Sequence, residues 1–226
     1  MSTSDVRWPL TTSTTLENLN RDLNLILTLY AISMALGFQV LAESFYRLCF
    51  PQSATAPRGT AIVLLTVLAF VLTAIGIRFF WAVNNIRRLI LHRTAQLHSV
   101  GRRALVLFHF PVLFLHSLLF FILCRLQFNM HNSFDHFNPF IGLYSLLLTL
   151  NAAWMLILTK GRLDTRPESF WMWNNFTFGF LGFLLMLIAR VLSQAGAPVL
   201  WGASALFFVN SAIDLSFMPR AYIMGE

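Results

Sequence analysis

Three sets of residues have types and spacings that could do chemistry in an apolar setting. The first is a row on the earliest apolar segment. At about 100° per residue, Asn24, Thr28, Ala31, Ala35, Gln39 and Ala42 fall within a stripe about 80° wide among Leu, Ile, Val, Phe, Tyr and Met. A stripe that stays small and polar along its length either packs closely on another helix or faces a water-filled path.

The second set is charge placed inside apolar runs. Arg78 sits about one turn inside the end of its run, and an arginine at that depth is costly unless paired. Asp214 is the acidic residue at comparable depth, so the sequence predicts an Arg78–Asp214 pair, with snorkelling of Arg78 to the surface as the alternative. At the opposite side the same argument pairs Glu43 with Arg190 or Arg125.

His109 and His116 form the third set, seven residues apart and on one face of their helix. Either they are hydrogen-bonded bundle histidines or they serve gating or proton relay. A bis-histidine haem needs an imidazole from a facing helix, and no other predicted helix carries one, so no cofactor is expected. His131, Asp135 and His136 could hold a metal on one turn, but three ligand types in a polar loop are weak evidence and no metal is assigned. P-loop, GxSxG, HExxH and TVGYG sequences are absent, which removes the parts for nucleophilic or metalloprotease catalysis and for a filter of the usual kind. An enzyme is the less favoured class.

The elements that must position these residues follow from hydropathy. With 57% hydrophobic and 11% charged residues in 226, the composition lies far from a soluble domain's. Apolar runs near the roughly 20 residues of one crossing occur at about 24–46, 60–82, 104–126, 139–159, 174–193 and 199–217. The expectation is an all-α polytopic membrane protein, a single domain over 1–226 with six transmembrane helices. Thr14 and Glu17 have capping-box spacing and predict the start of the first helix. Pro111 predicts a kink in the third. Trp154, Trp171, Trp173 and Trp201 lie near predicted ends, as in an aromatic belt.

Charge orients the bundle. Arg87, Arg88, Arg93, Arg102 and Arg103 fall between the second and third runs. With Arg7, Arg21, Lys160, Arg162, Arg166 and Arg220 they load one side, against Arg47, Arg58, Arg125 and Arg190 on the other. The bias puts both termini in the cytoplasm. A net charge of +7 then reflects topology and anionic headgroups rather than nucleic acid, and the five-arginine stretch becomes a face for lipid or a cytoplasmic protein. The location expected is a cell membrane, the bacterial inner membrane.

The second run ends Phe79-Phe80-Trp81-Ala82-Val83-Asn84-Asn85-Ile86-Arg87-Arg88, and the fourth contains Leu143-Tyr144-Ser145-Leu146. With six helices and both ends inside, the chain resembles the bacterial and lysosomal six-helix potassium channels that lack a P-loop. It also resembles bacterial membrane proteins with a Trp-x-x-Asn-Asn segment, here Trp171-Met172-Trp173-Asn174-Asn175. The resemblance implies an architecture and a first helix lining the pore of an oligomer. That family's Phe-Ser-Asp motif is absent, with Leu23-Asn24-Leu25 in the comparable region, so potassium selectivity is not implied.

The leading expectation is a homo-oligomeric pore with the first helix at its axis. An interaction subunit using the basic stretch comes second, and an intramembrane enzyme or transporter third. The pore needs the stripe to face outward to an axis, whereas the third reading needs polar groups converging within one subunit.

Overall fold

A computed structural model describes the backbone of residues 10–50, 59–95, 99–131, 134–158, 166–191 and 196–223, and side chains within the apolar segments 24–50, 61–79, 108–131, 135–157, 169–191 and 198–217. Every long element is a helix: α1 (Leu10–Cys49), α2 (Thr60–Ala95), α3 (Ser99–Asn129), α4 (Phe137–Leu158), α5 (Arg166–Val191) and α6 (Gly196–Ile223), with a 3-10 turn at Phe134–His136 leading into α4. Each of the six contains a segment long and apolar enough to cross a membrane.

Several helices outrun their apolar segments. The backbone of α1 is already helical at Leu10, so Thr14 and Glu17 lie inside the helix and not at its cap. The helix α2 continues beyond Phe79 to Ala95, because its tail of Arg, Leu, Ile and Ala favours helix and contains neither Pro nor Gly. What the sequence predicts as a basic loop is thus largely helical backbone among the described residues, with α2 described to Ala95 and α3 from Ser99. The side chains of Arg87, Arg88, Arg93, Arg102 and Arg103 lie outside the described residues. On α5 the helix begins at Arg166, well before 174, with Pro167 in the first turn, where a missing N–H costs little.

The helices pack in a ring, α1 to α3, α3 to α4, α4 to α5, α5 to α6, α6 to α2 and α2 back to α1, with α2 also touching α3 across the middle. Close approach depends on small residues. A Cβ on Gly76 of α2 would meet the ring of Phe38 on α1, and one on Gly182 of α5 would meet Ser145 of α4 and Phe207 of α6. Phe207 stacks on Tyr144 with centroids 4.0 Å apart, which closes the α4–α5–α6 side. Leu65, Leu68, Leu72, Phe120, Leu147 and Phe140 fill the centre, while Leu29, Leu36, Phe114, Phe180 and Leu187 cover the outside. An apolar exterior around a partly polar interior is the arrangement a bilayer favours.

Candidate functional site: a buried polar node

Arg78 is 1% exposed and does not snorkel. It turns into the ring, and α5 and α6 supply what receives it. On α5, Trp171, Asn174 and Asn175 follow i, i+3, i+4 spacing and share one buried face. Arg78 Nη1 donates to Asp214 Oδ2 of α6 in a direct ion pair. Its Nη2 donates to Asn175 Oδ1 at 2.7 Å, and the guanidinium carbon lies 4.6 Å from the centroid of the Trp171 ring. Asn174 Nδ2 donates to the other Asp214 oxygen at 2.8 Å, and Asn175 Nδ2 is held by the Trp171 carbonyl at 2.9 Å. Both carboxylate oxygens and both terminal guanidinium nitrogens are therefore used, which offsets much of the cost of burying two charges.

Two of the four tryptophans assigned to an interfacial belt are not there. Trp171 is buried beneath Arg78, and Trp154 is buried with its Nε1–H donating to His109 Nδ1 at 2.9 Å. Trp173 and Trp201 remain on the surface. Hydropathy and position near a helix end cannot separate a belt tryptophan from one turned inward to hold a charge. The i, i+3, i+4 spacing from Trp171 to Asn175 is the signal that could have found it.

Both histidines of α3 are buried, with the Trp154 ring 5.8 Å from His109 and 5.5 Å from His116. His116 Nδ1 lies 2.6 Å from the Val112 carbonyl, which accepts only if Nδ1 carries the proton. Nε2 of His116 then holds the lone pair. Among the described residues no group of three His, Cys, Asp or Glu could hold a metal ion.

Across the bundle, Glu43 pairs with Arg47 one turn along α1 at 3.2 Å and not with Arg190 or Arg125, since an i, i+4 partner is reached without crossing between helices. Arg190 is exposed, and Arg125 lies 5.7 Å from the Phe128 ring centroid. Cys49 is exposed and Cys124 buried, both as free thiols. His131 Nε2 hydrogen-bonds Ser44 Oγ at 2.9 Å, tying the α3 exit to α1. Burial, and secondly the Arg47 charge, hold the His131 imidazole below the usual histidine range. A lowered histidine disfavours protonation of the folded form, so its contribution is complete above about pH 6.5 and shrinks as pH falls toward the folded value. The expected result is that the parent melts at lower temperature at pH 5.5 than at 7.5 by a larger margin than His131→Asn; equal margins would contradict it.

On α1, Asn24, Thr28, Ala35, Gln39 and Ala42 are exposed and Ala31 half-buried, while Tyr30, Met34, Gly37, Leu41 and Ser44 form the packed face. The stripe is therefore not a packing face within the subunit. Leu25, Leu29, Ile32 and Leu36 run beside it, also exposed. Six apolar spans around a buried ion pair point to a multi-pass membrane protein. No protein-family model, curated protein or solved structure matches the chain.

Proposed function

We propose that the chain is one subunit of a homo-oligomeric, ion-conducting membrane protein in which α1 lines the path and both termini face the cytoplasm. The observation that carries this reading is the outward placement of Gln39. It lies within a few residues of the middle of the Asn24–Cys49 span and is exposed in line with Thr28, Ala35 and Ala42. Facing hydrocarbon, its amide would lose hydrogen bonds with water at a cost of about 2–7 kcal/mol. A ring of copies removes that cost. The Leu25, Leu29, Ile32 and Leu36 ridge packs between neighbours, and the adjoining row faces a central aqueous path. Thr28 already satisfies its hydroxyl on the Asn24 carbonyl at 2.8 Å, so its methyl and oxygen present a mildly polar wall. The basic stretch from Arg87 to Arg103 lies at the cytoplasmic face, where it meets anionic headgroups or a protein partner.

Purified protein in liposomes tests the reading. Monovalent ions should cross faster than in protein-free vesicles; equal rates would overturn it. Orientation is checked with Cys49→Ser as background. Arg21→Cys should be labelled by an impermeant thiol reagent only from the cytoplasmic side and Asn138→Cys only from the other, and the reverse pattern would invert the topology.

A transporter working within one subunit is the second reading, favoured by the convergence of Arg78, Asp214, Asn174 and Asn175 inside the ring.

A further inference from the structure

A cleft of about 180 Å³ opens on the outside of the ring between α1 and α3. The two helices run parallel, since Phe38 meets Phe120 and, further along, Ser44 meets His131. Counted from the span ends at Asn24 and Phe108, the cleft extends from Ile26 to Ser33 on α1 and from Phe110 to Ser117 on α3, about 3 to 14 Å deep on both. That is the depth of one leaflet, half of a hydrocarbon core roughly 30 Å thick.

Its walls suit a hydrocarbon chain. Ser33 Oγ donates to the Leu29 carbonyl at 3.0 Å and Ser117 Oγ to the Phe114 carbonyl at 2.9 Å, so neither hydroxyl needs water from the cleft. Leu29, Ile32, Phe110 and Phe114 are exposed along the rim, which opens the cleft sideways. Deeper along the same pair of helices the gap is shut, with the Phe38 and Phe120 rings 5.6 Å apart and Phe120 against Gly37. A seam with a second copy would continue along the whole span, whereas a chain from one leaflet ends at this depth.

Charge stands above the mouth. Arg21, three residues outside the α1 span, is described and exposed, and on the helix it lies within about 40° of Leu25 and Ile32 at the cleft's outer rim. On α3, Arg103 precedes Phe110 by seven residues, two turns of helical backbone, and so holds the register of the cleft wall. Glu17 and Asp22 neighbour Arg21 in the chain, and Arg102 with Arg103 supplies the basic excess at this end.

From the depth of this cleft, its apolar walls and the charge above it we infer a binding site for one anionic phospholipid, with an acyl chain between α1 and α3 and the phosphate at the level of Arg21 and Arg103. The inference rests on the membrane reading above and not on conduction. Leu29 and Ile32 also belong to the ridge assigned to the contact between neighbours, so in a ring of copies the lipid lies at the edge of the seam.

The probe is phosphatidylglycerol carrying a photoactivatable acyl chain, at low fraction in phosphatidylcholine vesicles that hold the full chain. It should attach to 26–33 and 110–117 in severalfold excess over Trp173 and Phe176, which are exposed at similar depth on α5. Unlabelled phosphatidylglycerol should compete for the site far better than added phosphatidylcholine. Arg21→Gln and Arg103→Gln should each cut that preference about fivefold, the effect of one basic residue at a membrane surface. Ser33→Phe, which fills the cleft, should remove the excess at both segments; if it is not recovered folded, the competition and the two arginine variants decide. Even labelling of the α1–α3 and α5 surfaces would mean ordinary surrounding lipid and overturn the inference. Equal competition by the two lipids, or a preference unchanged in both arginine variants, would overturn it as well, as would cross-links showing a second copy seated in the cleft. Failure of the protein to resist carbonate extraction would instead refute the membrane reading.

Discussion

Replacing Arg78 by Met should cost the folded bundle about 3–5 kcal/mol, because it strands a buried carboxylate. In the parent, Asp214 accepts from Arg78 on one oxygen and Asn174 on the other, and Asn175 accepts from the second guanidinium nitrogen. The variant keeps Asp214 buried with one neutral donor, Asn174, left. Asp214→Leu should be at least as damaging, since it leaves the guanidinium with Asn175 and the Trp171 face alone. Joint replacement removes both charges and the need for either. Arg78→Met/Asp214→Leu should therefore be milder than either single variant, which losses that simply add would not allow. Melting in detergent measures this: for a chain of this size the singles should fall by about 6 °C or more, with the double recovering much of the difference. A double variant that loses the sum of the singles would mean that the pair does not act as a unit.

Spans and charge were legible in the sequence because the physics that sets them is one-dimensional. About 20 apolar residues suffice for a crossing, and Arg78 and Asp214 could be matched by depth before any packing was known. The receiving side of the node was less legible. Asn174 and Asn175 stood only as part of a Trp-x-x-Asn-Asn segment and Trp171 as an interfacial ring, because which way the α5 face turns depends on where α2 and α6 stand. Glu43 went to its i, i+4 neighbour Arg47, a local option that the search for a cross-bundle partner passed over. The reach of α2 to Ala95 was hidden because a hydropathy run ends where charge begins, whereas a helix ends only where the backbone is broken.

The second large effect is expected on α1. Ala35 is exposed one turn from Gln39, so Trp at this position projects away from the subunit. In a ring with α1 at the axis, several indoles enter the same narrow path and should reduce ion flux at least tenfold, while the subunit melts within a few degrees of the parent because none of its own contacts is disturbed. Had the stripe been packed within the subunit, the same change would overpack a helix seam and cost about 1–3 kcal/mol. Its exposure makes unchanged subunit stability the expectation, so loss of flux reads out the path and not the fold.

Charge at Gln39 addresses the path most directly. A charge repeated at one level of a narrow, low-dielectric pore sets a strong local field, so Gln39→Glu should shift the reversal potential toward that of cations and Gln39→Lys toward that of anions. The measurement is the reversal potential of purified protein in planar bilayers under a tenfold salt gradient, for the parent and both variants. Shifts of opposite sign about the parent value are the predicted result. Identical reversal potentials in all three, with conductance present, would place the ions somewhere other than along α1.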